Sequence, residues 1–293
     1  DTTTTDTTYT SITFPMTAHS LLSSIGMYIG IFLLAYILLL ILLFFRQETM
    51  IFFPQTITEE RWKQIAEDVR GETISITTPD GLTLRGWFLS GSGTAPRATV
   101  LFFGGNATRL DYFAPYLGHL RKEGVNVLLV DYRGYGLSDG SPSADTMRKD
   151  SEIIYEAVIF RSDVDPGRIY LWGISIGTGV ATHLASVRDT AGVILIAPFT
   201  SMEDVGREAY PYLPVRTLLR HHFNNLALAP EIVVPALIIH GDADRIQGPA
   251  HAEKLASAWG GEHELLILKN RGHNNILQDE EVWEKVVEFV RGL

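Results

Sequence analysis

Cysteine is absent from the 293 residues, which excludes disulfides, a thiol nucleophile and thiolate metal sites while leaving the compartment open. Basic residues are scarce: 24 Lys and Arg stand against 34 Asp and Glu, for a formal net charge of −10. No long basic cluster occurs, which argues against nucleic acid as a partner. The phosphate-loop pattern Gly-x4-Gly-Lys and the metal-helix pattern His-Glu-x2-His are missing, and the glycine-rich strings lack a dinucleotide setting. Neither a cofactor nor a metal is therefore expected. Internal repeats are lacking too, and a chain that is 46% hydrophobic suits one large α/β domain plus appendages.

Charge is also missing from Ile25 through Phe45, where Ile31–Leu34 and Ile41–Phe45 are aliphatic or aromatic throughout. At a rise of about 1.5 Å per residue the run reaches roughly 30 Å, enough to cross a bilayer core. A buried core helix would be shorter and polar on one side. A cleaved signal peptide would have an apolar core of about 7–15 residues between a basic start and a small-residue cleavage site. Residues 21–46 are thus expected to form a single-pass membrane anchor. Arg46, Arg61 and Lys63 follow it and no Lys or Arg precedes it in this sequence, so the positive-inside rule votes, on few charges, for a cytoplasmic domain. The threonine-rich beginning has no packing pattern, so residues 1–20 read as a disordered or non-native extension, with Met27 a candidate natural start.

Residues 47–70 read as a neck with a helix near Glu59–Val69. Two strand-like runs, Thr73–Thr78 and Leu82–Phe88, flank Pro79-Asp80-Gly81 as a hairpin. Apolar runs follow at Ala98–Phe103, Val125–Val130, Arg168–Trp172, Gly192–Ala197, Ala236–His240 and Glu264–Leu268, with amphipathic stretches such as Leu110–Lys122, Ala144–Arg161 and His251–Trp259 between them. That alternation predicts, over residues 71–293, an α/β fold with a mostly parallel sheet flanked by helices and functional groups on loops at the strands' carboxyl ends.

Gly173-Ile174-Ser175-Ile176-Gly177 lies between a strand-like run and the small-residue segment Thr178–Thr182. Flanking glycines let the backbone turn sharply from strand to helix, which predicts a nucleophile elbow at Ser175. Gly136-Leu137-Ser138-Asp139-Gly140 satisfies the same string, but Pro142 and the serines on either side of it, Ser141 and Ser143, favour a turn, so Ser138 reads as a loop residue. A serine nucleophile needs a histidine to take its proton and a carboxylate to hold that histidine. His273 has the fitting setting, after the run Glu264–Leu268 and before the terminal helix. Asp242 and Asp244 both follow the run Ala236–His240, and the residues themselves leave the choice open. For the oxyanion, the Ile176 amide at the helix start and the Asn106 amide in Gly104-Gly105-Asn106 are the expected donors. Asn106-Ala107-Thr108 is also a glycosylation sequon, though a loop at the site is the better reading.

Together, Phe102–Ala107, Asp131–Gly136, Gly173–Gly177, His240–Asp244 and Gly272–Asn274 resemble the α/β-hydrolase superfamily. Within it the chain is similar to the membrane-anchored serine hydrolases of the Bem46-like group, whose span is followed by a phrase similar to Met50–Gln55. The resemblance implies Asp244, in the His-Gly-x-x-Asp string, as the acid, so that the order Ser175, Asp244, His273 is the α/β-hydrolase one. It departs at Gly104, where the group commonly has histidine; that should alter loop packing more than catalysis. The implied activity is hydrolysis of a small-molecule or lipid carboxylic ester through an acyl-enzyme. A peptidase, thioesterase or lipase of the same fold and a catalytically idle membrane scaffold are the alternatives. Residues 198–232 interrupt the strand–helix alternation and read either as a surface helix pair or as a cap insertion. As a cap, Tyr212 and Leu213 would line a small acyl pocket favouring short and medium chains.

Overall fold

The computed structural model describes residues 18–292, so most of the expected extension over residues 1–20 lies outside them. The chain divides into two compact units, Asp1–Phe45 and Arg46–Leu293. An uninterrupted helix, α1 (Ala18–Ile51), begins in the first of them. Most of its apolar side chains are exposed, among them Leu22, Phe32 and Leu34. Residues Leu21–Ile51 have the length and composition to cross a membrane, a property that an N-terminal signal sequence shares.

In the second unit the elements run α2 (Glu59–Asp68), β1 (Glu72–Thr77), β2 (Thr83–Leu89), β3 (Arg97–Phe103), α3 (Ala114–Lys122), β4 (Asn126–Val130), α4 (Ala144–Ile159), β5 (Val164–Ile174) and α5 (Ile176–Val187). They continue with β6 (Gly192–Ile196), α6 (Met202–Ala209), α7 (Val215–Leu218), α8 (Asn225–Leu228), β7 (Ala236–Gly241), α9 (Ala250–Ala258), β8 (His263–Leu268) and α10 (Glu280–Gly292). One eight-stranded sheet has the order β1-β2-β4-β3-β5-β6-β7-β8; β2 pairs antiparallel with both β1 and β4, and all the other neighbours pair parallel.

The sheet is covered on both faces, as the near-continuous apolar strands require. Alternate residues of each central strand enter opposite cores. Leu101, Leu171 and Leu195 join side chains of α4, α5 and α9, while Phe102, Trp172 and Ile194 join those of α2, α3 and α10. Burying each large apolar side chain contributes about 1.5–3 kcal/mol. Polar caps mark helix starts: Thr58 accepts the Arg61 amide, Ser143 forms a capping box with Thr146, and Ser201 accepts the Asp204 amide.

Two boundaries differ from the sequence reading for tertiary reasons. β5 begins at Val164 rather than Arg168, because Val164 pairs with Arg97 across a register shift in β3. The expected helix Leu110–Lys122 splits into a short 3-10 turn and α3, with Pro115 in the first turn, where its missing N–H costs nothing. Between β6 and β7 the helices α6, α7 and α8 interrupt the alternation. Part of that segment is core: Phe223 is buried, and its ring seats so closely on α5 that a Cβ at Gly179 would lie 2.7 Å from it.

Candidate active site

Ser175 sits between the end of β5 and the start of α5, at φ 52° and ψ −119°. A residue other than glycine tolerates that backbone only where its surroundings impose it. Here the Ser175 amide donates to the Ile196 carbonyl of β6 (2.9 Å), and its own carbonyl accepts from the Thr178 amide and hydroxyl (2.9 and 2.6 Å). Close approach explains both flanking glycines. A Cβ at Gly173 would stand 2.4 Å from the Gly177 carbonyl oxygen, and one at Gly177 would stand 2.1 Å from that of Phe103. The turn leaves Ser175 half-buried and therefore reachable.

The loops after β7 and β8 bring two further side chains to this turn. His273 Nε2 lies 2.9 Å from Ser175 Oγ, and His273 Nδ1 lies 2.7 Å from Asp244 Oδ2. With Nδ1–H donating its hydrogen bond to the ionised carboxylate, the Nε2 lone pair faces the serine hydroxyl. The Asp244 side chain is fully enclosed, and its Oδ1 accepts the amides of Ile246 (2.8 Å) and Gln247 (3.0 Å). Burial by itself would raise the Asp244 carboxyl, but hydrogen bonds from His240, His273 and the Gln247 amide outweigh it and hold the group well below the usual carboxylate range. Asp242, exposed, instead accepts the Asn270 amide (2.7 Å) and closes the turn after β8.

One residue in this cluster was missed in the sequence. His240 is wholly buried, with Nε2 2.8 Å from the Gln247 carbonyl and 3.1 Å from Asp244 Oδ2. Both neighbours are acceptors, so Nε2 carries the proton, while buried Nδ1 has no partner. Its position four residues before Asp244 was the available signal.

The loop after β3 closes the other side. A Cβ at Gly105 would lie 3.7 Å from Ser175 Cβ, so the loop that carries the Asn106 amide runs beside the serine with room for little more than that Cβ between them. The Tyr132 hydroxyl donates to the Gly104 carbonyl (3.0 Å), and a Cβ at Gly104 would press on Leu110 at 3.1 Å. Ile176 opens α5, where an amide has no intrahelical acceptor and the helix dipole favours negative charge. The Asn106 side-chain nitrogen donates to the Ile51 carbonyl, which occupies the group a glycan would need.

Other sequence candidates lie elsewhere. Ser138 is buried, donating to the Asp131 carbonyl (2.8 Å) and accepting the Arg85 amide (2.9 Å), so it ties the loop after β4 to β2. Arg133 pairs in a fork with Asp150 and also meets Asp80, a structural role. The Tyr212 ring is 91% exposed, and Leu213 is half-buried on the segment before α7. Among the described residues no group of three or more His, Asp or Glu side chains is placed to hold a metal ion.

An uncharacterised protein of Mycobacterium tuberculosis is 35% identical over 205 residues, covering 70% of this chain and 73% of that protein. The family described as serine aminopeptidase, S33, matches residues 94–228, which include the turn at Ser175 but neither Asp244 nor His273. The chain belongs to the α/β-hydrolase superfamily. A second relative, the uncharacterised protein YfhR of Escherichia coli, is 31% identical over 231 residues, 75% of this chain and 80% of that one. Among solved structures, the α/β-hydrolase fold is shared with a Pyrococcus furiosus esterase (TM-score 0.66, 22% identity, 82% of this chain and 97% of that one). It is shared as well with an acetyl xylan esterase from Paenibacillus (TM-score 0.61, 17% identity, 83% and 98%).

Proposed function

We propose that this α/β-hydrolase is a membrane-anchored serine hydrolase of the Bem46-like group that cleaves carboxylic esters. The observation that carries the reading is the single imidazole of His273, within hydrogen-bond distance of both Ser175 Oγ and Asp244 Oδ2. In this reading Ser175 Oγ attacks the ester carbonyl while His273 Nε2 takes its proton. The oxyanion accepts hydrogen bonds from the Asn106 and Ile176 amides. The tetrahedral intermediate collapses as His273 returns the proton to the leaving alkoxide, leaving the acyl group on Ser175. Water, deprotonated by His273, then attacks the acyl-enzyme and frees the acid and the serine. Asp244 keeps the tautomer and offsets the charge of the imidazolium.

The uncharged run Ile25–Phe45 within the candidate span supports an anchor, and Arg46, Arg61 and Lys63 after it favour a cytoplasmic face for the enzyme. In the cap reading Leu213 and Tyr212 contact the acyl chain. Kinetics of Tyr212→Ala and Leu213→Ala on esters from acetyl to palmitoyl test that role, and an unchanged chain-length profile removes it. A second reading, an aminopeptidase, is favoured by the description of the matching family. Turnover of p-nitrophenyl esters against aminoacyl p-nitroanilides separates the two. The serine-hydrolase reading itself is tested by fluorophosphonate labelling: the wild type should label and Ser175→Ala should not. Equal labelling of both would sink it.

A further inference from the structure

Asn106 does more in the structure than present its backbone amide. Its Oδ1 accepts hydrogen bonds from the Phe53 amide (3.0 Å), the Tyr135 hydroxyl (2.8 Å) and the Ala107 amide (2.9 Å), while Nδ2 donates to the Ile51 carbonyl. One carboxamide thus fastens the loop beside Ser175 to residues Ile51–Phe53 of the neck. The next residue, Ala107, is held at φ 55°, a left-handed conformation that an alanine adopts only under constraint.

The neck is itself fixed within the Arg46–Leu293 unit. Phe52 is buried with its ring edge-on to His221 at 5.0 Å. The Gln47 carboxamide donates to the Leu218 carbonyl (3.1 Å) and accepts the Arg220 amide (2.7 Å), and Glu48 lies 3.1 Å from the Arg220 guanidinium. Farther along, the Gly136 amide donates to the Gln55 carbonyl (2.8 Å). A second carboxamide therefore ties the same neck to the segment between α7 and α8.

We infer that Asn106 is a positioning residue: its side chain braces the oxyanion loop against the neck segment Ile51–Phe53, so that the neck sets where the Asn106 amide points. The inference rests on the serine-hydrolase reading above. A carboxamide offers the donor for Ile51 and the acceptor for Phe53 and Tyr135 on two separate atoms of one short side chain. Asp would present a carboxylate oxygen to the Ile51 carbonyl, and Ala would leave all four partners unmet, yet both keep the backbone amide. Because the loop runs beside Ser175, a small shift of the loop changes the oxyanion contact, and a misplaced or lost donor costs about 10²–10³ in kcat.

The test uses the full chain in detergent micelles, a p-nitrophenyl ester, and active-site titration so that rates are counted per competent serine. Asn106→Ala and Asn106→Asp should lower kcat by at least about tenfold with KM changed by less than about threefold. Tyr135→Phe, which removes one of the bonds, should give a smaller loss in the same parameter and serves where the Asn106 variants fail to fold. Phe52→Ala, which unseats the neck without touching the site, should lower kcat too. The double variant Asn106→Ala/Phe52→Ala should be no slower than Asn106→Ala alone, since both act through one brace. Lower Tm with unchanged kcat per titrated serine, or additive kcat losses in the double variant, overturns the inference. Loss of turnover in Ser175→Ala beside an indifferent Asn106 fails this inference alone, whereas full turnover in Ser175→Ala fails the serine-hydrolase reading and this with it.

Discussion

The Ser175 hydroxyl lies 2.9 Å from Nε2 of His273, although 98 positions separate the two residues along the chain. The sheet brings them together, because β5 and β8 each end at the same edge and release their loops there. Replacing Ser175 by Ala removes one oxygen from a turn whose backbone is held by Ile196 and Thr178. We expect esterase activity to drop by several orders of magnitude with Tm nearly unchanged. Ser138→Ala should show the reverse, losing about 1 kcal/mol of stability with its two buried hydrogen bonds and keeping kcat. Denaturation curves measured beside turnover decide the pair; normal turnover in Ser175→Ala would end the assignment.

Asp242 and Asp244 differ by two positions and by everything around them. Asp244→Asn should lower kcat by about 10³–10⁴, since the wrong tautomer of His273 is then favoured. Asp242→Asn should cost only the turn after β8, read as a small fall in Tm with kcat kept. A larger kcat loss in folded Asp242→Asn than in Asp244→Asn would reverse the choice of acid.

Asp131, buried at the end of β4, gives an unusual pH dependence. Burial, helped by the charge of Asp111, pushes its carboxyl up to about 7, against an ordinary value near 4. Between those values the folded state holds a proton that the unfolded state has lost, so stability falls as pH rises from about 4 to about 7 and then levels off. The effect amounts to at most about 4 kcal/mol. Asp131→Asn should flatten that part of the curve. Urea denaturation at pH 5 and pH 8 measures it, and equal pH dependence in the wild type and the variant would refute the shift.

Deleting residues 1–46 removes the apolar run and leaves Gln47 with its bonds to Leu218 and Arg220. The shortened chain should be soluble without detergent, folded and active. Deleting residues 1–57 should instead lower Tm and kcat together, because the buried Phe52 and the partners of Asn106 go with it. An inactive or aggregated 47–293 chain, measured by gel filtration and ester turnover, would show that the first unit is needed for more than anchoring.

Local signals in this chain were legible because they answer local requirements. Alternation of apolar runs with amphipathic stretches predicts strands and helices, since a strand covered on both faces is apolar throughout while a helix buries one face. Gly173 and Gly177 mark the turn because no side chain fits against the backbone there. An uncharged run of about 30 Å has few uses other than a membrane or a signal. The remainder depended on which groups meet across the sheet. Two identical Gly-x-Ser-x-Gly strings differ in that one serine faces His273 and the other bridges β2 and the loop after β4. Val164 joins β5 only because Arg97 is there to pair with it. His240 stands four residues before Asp244, but that spacing alone does not say that its ring reaches the carboxylate, and the carboxamide of Asn106 reaching the neck about fifty residues away leaves no periodicity or motif of its own. A hydrogen bond depends on distance and angle in space, and in a parallel sheet every crossover separates in sequence the groups that the strand ends bring together.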